Sequence, residues 1–124
     1  MMESFVFPFE KLDVWQLSVD FADYILSFLE EFPANRYLRM VGQMERAAAS
    51  VSQNIAEGKG RQHPKEFVQF LYIAEGSLFE VLTLSEIFRR RRLISSDQYD
   101  LIRQKAEVID RKLHGLINSI KKRR

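Results

Sequence analysis

The sequence contains no cysteine at all. Its 124 residues include 0 Cys, 1 Trp and 2 His. The absence of cysteine excludes a disulfide framework, a thiolate metal site and a cysteine nucleophile, and it fits a reducing cytosol.

Targeting and membrane signals are also missing. The first ten residues carry acids and a proline where a signal peptide needs a basic and then an apolar run. No apolar stretch approaches the roughly 20 residues needed to cross a bilayer. We therefore expect a cytoplasmic protein with no membrane partner.

Motifs for catalysis and cofactor binding are absent as well. No glutamate is followed three residues later by histidine, the pattern of di-metal helical bundles. His63 and His114 have no evident converging ligands, and Ser50, Ser52 and Ser77 have no histidine at motif spacing. The glycines near residue 58 do not form a phosphate-binding loop. The sequence predicts no enzyme activity, no cofactor and no metal.

What the sequence does contain is heptad spacing of apolar residues. With 46% hydrophobic and 29% charged residues, the composition is typical of one globular domain. Spacings that alternate between four and three residues occur in three segments. The seams are Tyr37, Val41, Met44, Ala48, Val51 and Ile55; Phe67, Leu71, Ala74, Leu78, Val81, Ser85 and Phe88; and Ile102, Ala106, Ile109, Leu113, Leu116 and Ile120.

Together with an apolar first helix, these seams predict an all-α fold, an antiparallel up-down-up-down four-helix bundle. The expected helices cover about residues 13–31, 36–57, 64–91 and 96–121, after an extended N-terminal arm over 1–12 and before a basic tail over 122–124. On the arm, Phe5, Phe7 and Phe9 alternate. These aromatics either lie in a groove, on this molecule or a neighbouring subunit, or belong to a partly ordered tail with one anchored ring.

Caps and glycines refine these boundaries. We expect Asp13, with Gln16 as its reciprocal partner, to cap the first helix, and Ser95 or Ser96 to cap the fourth. Glycines 58 and 60, in left-handed conformation, should end the second helix. The small residues Gly76 and Ser77 in the third helix are expected to allow close approach of the alanine-rich second helix.

Polar residues near the end of the second helix and in the third predict a buried network that fixes helix register. Its members are Arg46, Asn54, Glu57, Arg61, Glu66, Ser77 and Glu80. The alternative, a carboxylate site for metal or acid–base chemistry, lacks histidine at the required spacing.

Charge is distributed unevenly. Residues 1–88 hold 7 Lys/Arg and 13 Asp/Glu, whereas residues 89–124 hold 12 Lys/Arg and 4 Asp/Glu. This asymmetry predicts a basic surface that faces a polyanion or an acidic face of another copy. The candidate nucleic-acid-binding residues are Arg89, Arg90, Arg91, Arg92, Arg103, Lys105, Arg111, Lys112, Lys121 and Lys122. Only Tyr99 is an evident candidate for stacking on bases.

Three blocks resemble a known family. They read Phe9-x-x-Leu12-x-Val14-Trp15-Gln16, Gln43-x-x-Arg46-Ala47-Ala48-x-Ser50-Val51-x-x-Asn54-Ile55-Ala56-Glu57-Gly58 and Glu66-Phe67-x-x-Phe70-Leu71-x-Ile73-Ala74-x-Gly76-Ser77-x-x-Glu80. Over about residues 9–117 the chain is similar to bacterial four-helix-bundle proteins encoded by intervening sequences of large-subunit ribosomal RNA. The accessory variability determinant of diversity-generating retroelements resembles this family and looks like a relative of it. Glu75 departs from the pattern, because a basic residue often precedes the Gly-Ser pair.

The resemblance implies a ring-shaped homo-oligomer, a pentamer in related proteins, with no known catalysis. It also implies nucleic acid and a reverse transcriptase as candidate partners. Two hypotheses follow: an oligomeric scaffold that binds structured RNA or DNA through a basic surface, or a ring-forming adaptor that contacts only protein. Removal of the arginines at 89–92 distinguishes them, because the first predicts lost binding with an intact ring and the second predicts a collapsed ring.

Overall fold

Four α-helices account for most of the computed structural model, which describes residues 4–33 and 35–123. They are α1 (Asp13–Leu29), α2 (Leu38–Lys59), α3 (Pro64–Arg90) and α4 (Ser96–Arg123), preceded by a 3-10 helix at Pro8–Lys11. The described residues include no strand. Since α1 and α3 each contact both α2 and α4, the prediction of an all-α four-helix fold is confirmed.

Contacts between helix ends show that neighbouring helices run antiparallel. Arg91, just after α3, donates to the hydroxyl of Tyr37, just before α2 (3.1 Å), and Lys121 near the end of α4 donates to Tyr72 in the first half of α3 (3.0 Å). One end of the bundle therefore gathers the end of α2, the start of α3 and the end of α4. The opposite end gathers the start of α2, the end of α3 and the start of α4.

The core follows the predicted seams closely. Its largest fully buried side chains are Phe21, Ile25, Met44, Val51, Ile55, Leu71, Leu78, Phe88, Ile102, Ile109, Leu113 and Ile117. In the last turns of α4, however, Ile117 is buried and the predicted Leu116 is only partly buried. At 3.6 residues per turn, both positions fall near the same side of the helix, and the packing selects the neighbour.

Hydrogen bonds at the starts of α1 and α4 test the two predicted N-terminal caps. Ser95 caps α4: the Gln98 N–H donates to the Ser95 hydroxyl (3.0 Å) and the Gln98 carboxamide accepts from the Ser95 N–H (2.8 Å). The predicted cap at Asp13 is wrong, because Asp13 is already helical. The preceding 3-10 helix leads directly into α1, and Gln16 donates to the carbonyl of Glu10 instead (2.8 Å).

The glycines have roles that differ from those predicted. Gly58 is a buried residue within α2, and Gly60 has a φ of −80°, so neither adopts the left-handed conformation. A Cβ at position 58 would lie 2.6 Å from Phe70 Cβ and 3.0 Å from Phe67 Cδ1. Gly58 is therefore where α2 and α3 approach closely, whereas a Cβ at Gly76 would meet nothing within 4 Å. The predicted close approach is therefore wrong at Gly76, although the adjacent Ser77 does meet α2, where it shares a hydrogen bond with Ser50 (2.8 Å).

The chain termini are more helical than predicted. Pro8–Lys11 of the predicted arm forms the 3-10 helix, and among the described residues of the arm only 4–7 and Leu12 lie outside it. Phe9 packs edge-on against Trp15 (4.9 Å), and Phe7 stacks on Phe9 (5.8 Å) while remaining exposed. Residues 122–123 continue α4 rather than forming a tail. Residues 1–3 of the predicted arm and residue 124 of the predicted tail lie outside the described residues.

The prediction that no apolar stretch approaches the length of a membrane span is wrong for α3, which within the described part of the chain is long and apolar enough to cross a membrane by length and composition alone. Its buried Leu71, Ala74 and Leu78 belong to the core of the bundle, which accounts for part of this apolar character. The rest lies on its outer side, where Ile73 is 51% and Phe79 48% exposed.

The two glycines form a matched pair for a stability test. We expect Gly58→Ala to lower the free energy of unfolding by about 1–3 kcal/mol, because the new methyl group overpacks the α2–α3 contact. In the dissociated chain, Gly76→Ala should raise it by about 0.5–1 kcal/mol, because alanine favours the helix and meets no neighbour within the chain. Urea unfolding followed by circular dichroism measures both, and a Gly58→Ala protein as stable as the parent would contradict the packing described above.

Candidate functional site

The four arginines at the end of α3, Arg89 to Arg92, are largely engaged within the molecule. Arg89 makes two contacts with the Glu86 carboxylate (2.9 and 2.5 Å) and Arg90 makes one (2.9 Å). Arg91 donates to Tyr37, and Arg92 occupies the turn with a φ of 62°. Hydrogen bonds from Arg89 and then Arg90 lower the pKa of Glu86 to about 2.

The candidate nucleic-acid-binding residues of α4 do not form one continuous basic surface. Lys105 lies over the Tyr24 ring and faces α1 (5.0 Å), whereas Arg103 lines a cavity together with Leu78 of α3. Because successive helical residues are rotated by about 100°, positions two apart point to different sides. Arg111 pairs with Glu107 on α4, and Lys112 pairs with Asp13 of α1 (both 2.5 Å).

Cations converge instead at the end of the bundle where α2 ends, α3 begins and α4 ends. The residues of this basic end are Lys59, Arg61, Lys65, Lys121, Lys122 and Arg123, and all are exposed. A cavity of about 230 Å³ opens among them, lined by Lys59, Arg61, Gln62, His63, Pro64, Phe67, Ile120 and Arg123. Among the described residues, Arg61 is the one member that forms an ion pair, with Glu57 (3.0 Å).

Aromatic rings lie beneath several of these cations. Lys59 lies over Phe67 (5.7 Å) and Arg61 over Phe70 (4.7 Å). Tyr72, which is 42% exposed, accepts from Lys121. Tyr99, the stacking candidate suggested by the sequence, is partly buried, so Tyr72 is the more accessible ring.

Lys59, Lys65, Arg123 and Tyr72 were missing from the residues suggested by the sequence. A usable signal was present, since antiparallel topology alone brings the end of α2 beside the start of α3 and the end of α4. If the cations had been grouped by the end of the bundle at which they lie, rather than by runs along the sequence, Lys59, Lys65 and Arg123 would have been found.

Only part of the predicted polar network forms within the described residues. Ser50 and Ser77 share a hydrogen bond across α2 and α3 (2.8 Å), and Asn54 donates to the hydroxyl and carbonyl of Ser50 (both 2.8 Å). Glu57 at the end of α2 and Arg61 just after it do form an ion pair (3.0 Å), but both side chains are exposed, so the predicted burial is wrong. Arg46 and Glu80 are also exposed, and Glu66 is partly buried.

One cluster was missed entirely. His114 Nε2 lies 2.5 Å from Glu75 Oε2 and 3.8 Å from Asp110 Oδ1, so the expectation that no ligands converge near either histidine is wrong. Burial, followed by Glu75, raises the pKa of Asp110 to about 6, and His114 opposes this shift. The cluster depends on the register between α3 and α4, which no local pattern reveals.

These features define a class: an all-helical four-helix protein with a basic end and an unusual carboxylate–imidazole cluster. The sequence profile of the 23S rRNA-intervening sequence protein family matches residues 10–115, and the chain belongs to that family. The resemblance seen in the sequence blocks is thereby confirmed.

A solved structure supports the same assignment. The chain is similar to a protein of unknown function from the S23 ribosomal protein family of Bacteroides thetaiotaomicron, with 27% identity and a TM-score of 0.76. The similarity covers 84% of this chain and 97% of that chain. No curated protein matches.

The Glu86 contacts predict a measurable titration. The stabilisation contributed by ionised Glu86 is present above the ordinary glutamate pKa of 4.5 and is lost as pH falls through about 2. Replacing Arg89 and Arg90 by Gln should raise the Glu86 midpoint in a carboxyl-carbon NMR titration, because all three arginine hydrogen bonds to its carboxylate are removed. The matched Arg111→Gln variant should not move it. An unchanged Glu86 midpoint in the double variant would refute the pairing.

Proposed function

We propose that this protein is a non-enzymatic, homo-oligomeric bundle that binds structured RNA or DNA through its basic end. The observation that carries the proposal is the convergence of six exposed cations from three chain segments at one end of the bundle, where Lys59, Arg61 and Arg123 line one cavity. Lysine and arginine side chains neutralise phosphates and release counterions, which provides affinity without sequence preference.

The basic end is a better phosphate-binding surface than the arginines at 89–92. Arg89 and Arg90 share one carboxylate, so a phosphate would have to compete with Glu86 for both. Lys59, Lys65 and Lys121 have no carboxylate within ion-pairing distance among the described residues. Their aromatic neighbours add surfaces on which unpaired bases can stack.

An exposed apolar side of α3 supports self-association. Ile73, Phe79 and Ile87 are 51%, 48% and 38% exposed, and Gly76 lies among them with open space above its Cα. A glycine in the interior of a helix costs about 1 kcal/mol and has no compensating contact within the chain. Close approach of a second copy would supply one, and the family resemblance favours a pentameric ring in the cytoplasm.

The same apolar side also favours a second candidate, a ring-forming adaptor that contacts only protein, such as a reverse transcriptase. In that case the basic end would pair with acids of the partner. Charge removal at the two bundle ends distinguishes these functions.

For nucleic-acid binding, the variant that replaces Lys59, Lys65, Lys121 and Lys122 by Gln should lose most affinity for structured RNA and duplex DNA. The slope of log Kd against log salt should fall by about one for each lysine that contacts a phosphate. Fluorescence anisotropy of labelled ligands measures both quantities. The matched control replaces Arg89, Arg90, Arg91 and Arg92 by Gln, which removes the same charge from the opposite end.

We expect the control to bind nearly as well as the parent. A larger loss in the control would move the site to the arginines suggested by the sequence. No binding by the parent protein at low salt would exclude nucleic acid and favour the adaptor.

For self-association, Ile73→Glu should dissociate the oligomer, because it places a charge in the apolar contact. Val108→Glu, an equally exposed apolar position on α4, is the matched control and should leave assembly unchanged. Light scattering coupled to gel filtration gives the mass of each. A monomeric parent, or an Ile73→Glu protein with the parental mass, would refute the α3 interface.

A further inference from the structure

Glu75, Asp110 and His114 form a set of metal-ligating side chains at the seam between α3 and α4. Their potential ligand atoms all lie within 4.8 Å of one another. Asp110 and His114 are one turn apart on α4, and Glu75 reaches them from α3, 39 residues before His114 in sequence. Two helices therefore hold three donors of the types that bind divalent transition metals, two carboxylates and an imidazole.

The spacing of these atoms suits a metal ion after small side-chain movements. Four-coordinate zinc with bonds of about 2.0–2.1 Å needs neighbouring ligand atoms about 3.3 Å apart. The His114–Asp110 distance is 3.8 Å and the His114–Glu75 distance is 2.5 Å. Both distances lie within about 1 Å of this value, and the exposed side chain of His114 has room to adjust.

An unsatisfied atom points independently to a ligand. Asp110 Oδ1 is buried and has no hydrogen-bond partner among the described residues. Buried polar atoms normally have a partner, since leaving one unpaired costs free energy. The side chain of Glu75 is only 13% exposed, so two carboxylates share a partly desolvated site in which their charges repel. A divalent cation would satisfy Asp110 Oδ1 and neutralise both carboxylates.

We propose that Glu75, Asp110 and His114 bind one divalent transition-metal ion, with zinc as the representative, and that this ion joins α3 to α4. Three protein ligands leave at least one coordination position for water, on the solvent side where His114 is half exposed. Arg103 lines the adjacent cavity together with Asp110. The proposal is independent of nucleic-acid binding, because the cluster lies along the helices and contains none of the basic-end cations.

The test is calorimetric titration of ZnCl₂ into the full-length protein after treatment with a chelator. We expect one Zn²⁺ per chain with micromolar or tighter affinity, and a thermal midpoint that rises with zinc concentration, since a ligand of the folded state stabilises it. His114→Gln and Asp110→Asn should each weaken binding by at least about tenfold, because loss of a direct ligand exceeds the cost of losing an outer partner. Cobalt substitution adds a visible absorption spectrum that reports low coordination number.

Matched controls separate this site from other donors. His63→Gln removes the other histidine, and Glu107→Gln removes a nearby carboxylate of α4 that is paired with Arg111. Both should bind zinc like the parent. Binding that survives His114→Gln, binding that disappears with His63→Gln, or an absence of binding by the parent would each overturn the proposal. Circular dichroism verifies that the variants are folded, and the cobalt spectrum of the parent tests the site without any substitution.

Discussion

The close contact between α2 and α3 at Gly58 is the constraint on which the rest of the structure depends. The backbone of α2 meets Phe67 and Phe70 there at distances that leave no space for a side-chain carbon. Two turns earlier on α2, Ser50 bonds Ser77 of α3, so the pair is held at two heights and cannot slide. Overpacking at the first contact would be costly because protein interiors are already close-packed.

Once α2 and α3 are in register, both candidate sites follow from the placement of α4. Its antiparallel packing brings Lys121 to Tyr72 and, two turns away, His114 to Glu75. The first pairing completes the basic end, and the second creates the carboxylate–imidazole cluster. The register of α4 thus places the side chains of both the basic end and the carboxylate–imidazole cluster. The proposals made for these two features are independent of each other.

The helices and the core were predictable from the sequence because they rest on local periodicity: apolar residues such as Met44, Leu78 and Ile109 recur at spacings that only a helix places on one side. The cap at Ser95 was also predictable, because it depends on residues that are close together in the sequence, Ser95 and Gln98. The roles of Gly58 and Gly76 were not, because a glycine's role depends on the helix it faces. The contacts of Glu75 were not predictable from local patterns either, because its partners lie on another helix whose register is set by packing.

The position of the charges relative to the apolar side of α3 has a consequence for assembly. Ile73 and Phe79 lie along the side of the bundle, whereas the basic end lies at its tip. In a closed ring whose symmetry axis runs along the helices, every basic end would lie on the same face. Like charges on neighbouring copies would then repel, more strongly at low salt than at high salt, and apolar burial along α3 would have to exceed that cost. A bound polyanion would remove the repulsion, and assembly and nucleic-acid binding would therefore reinforce each other.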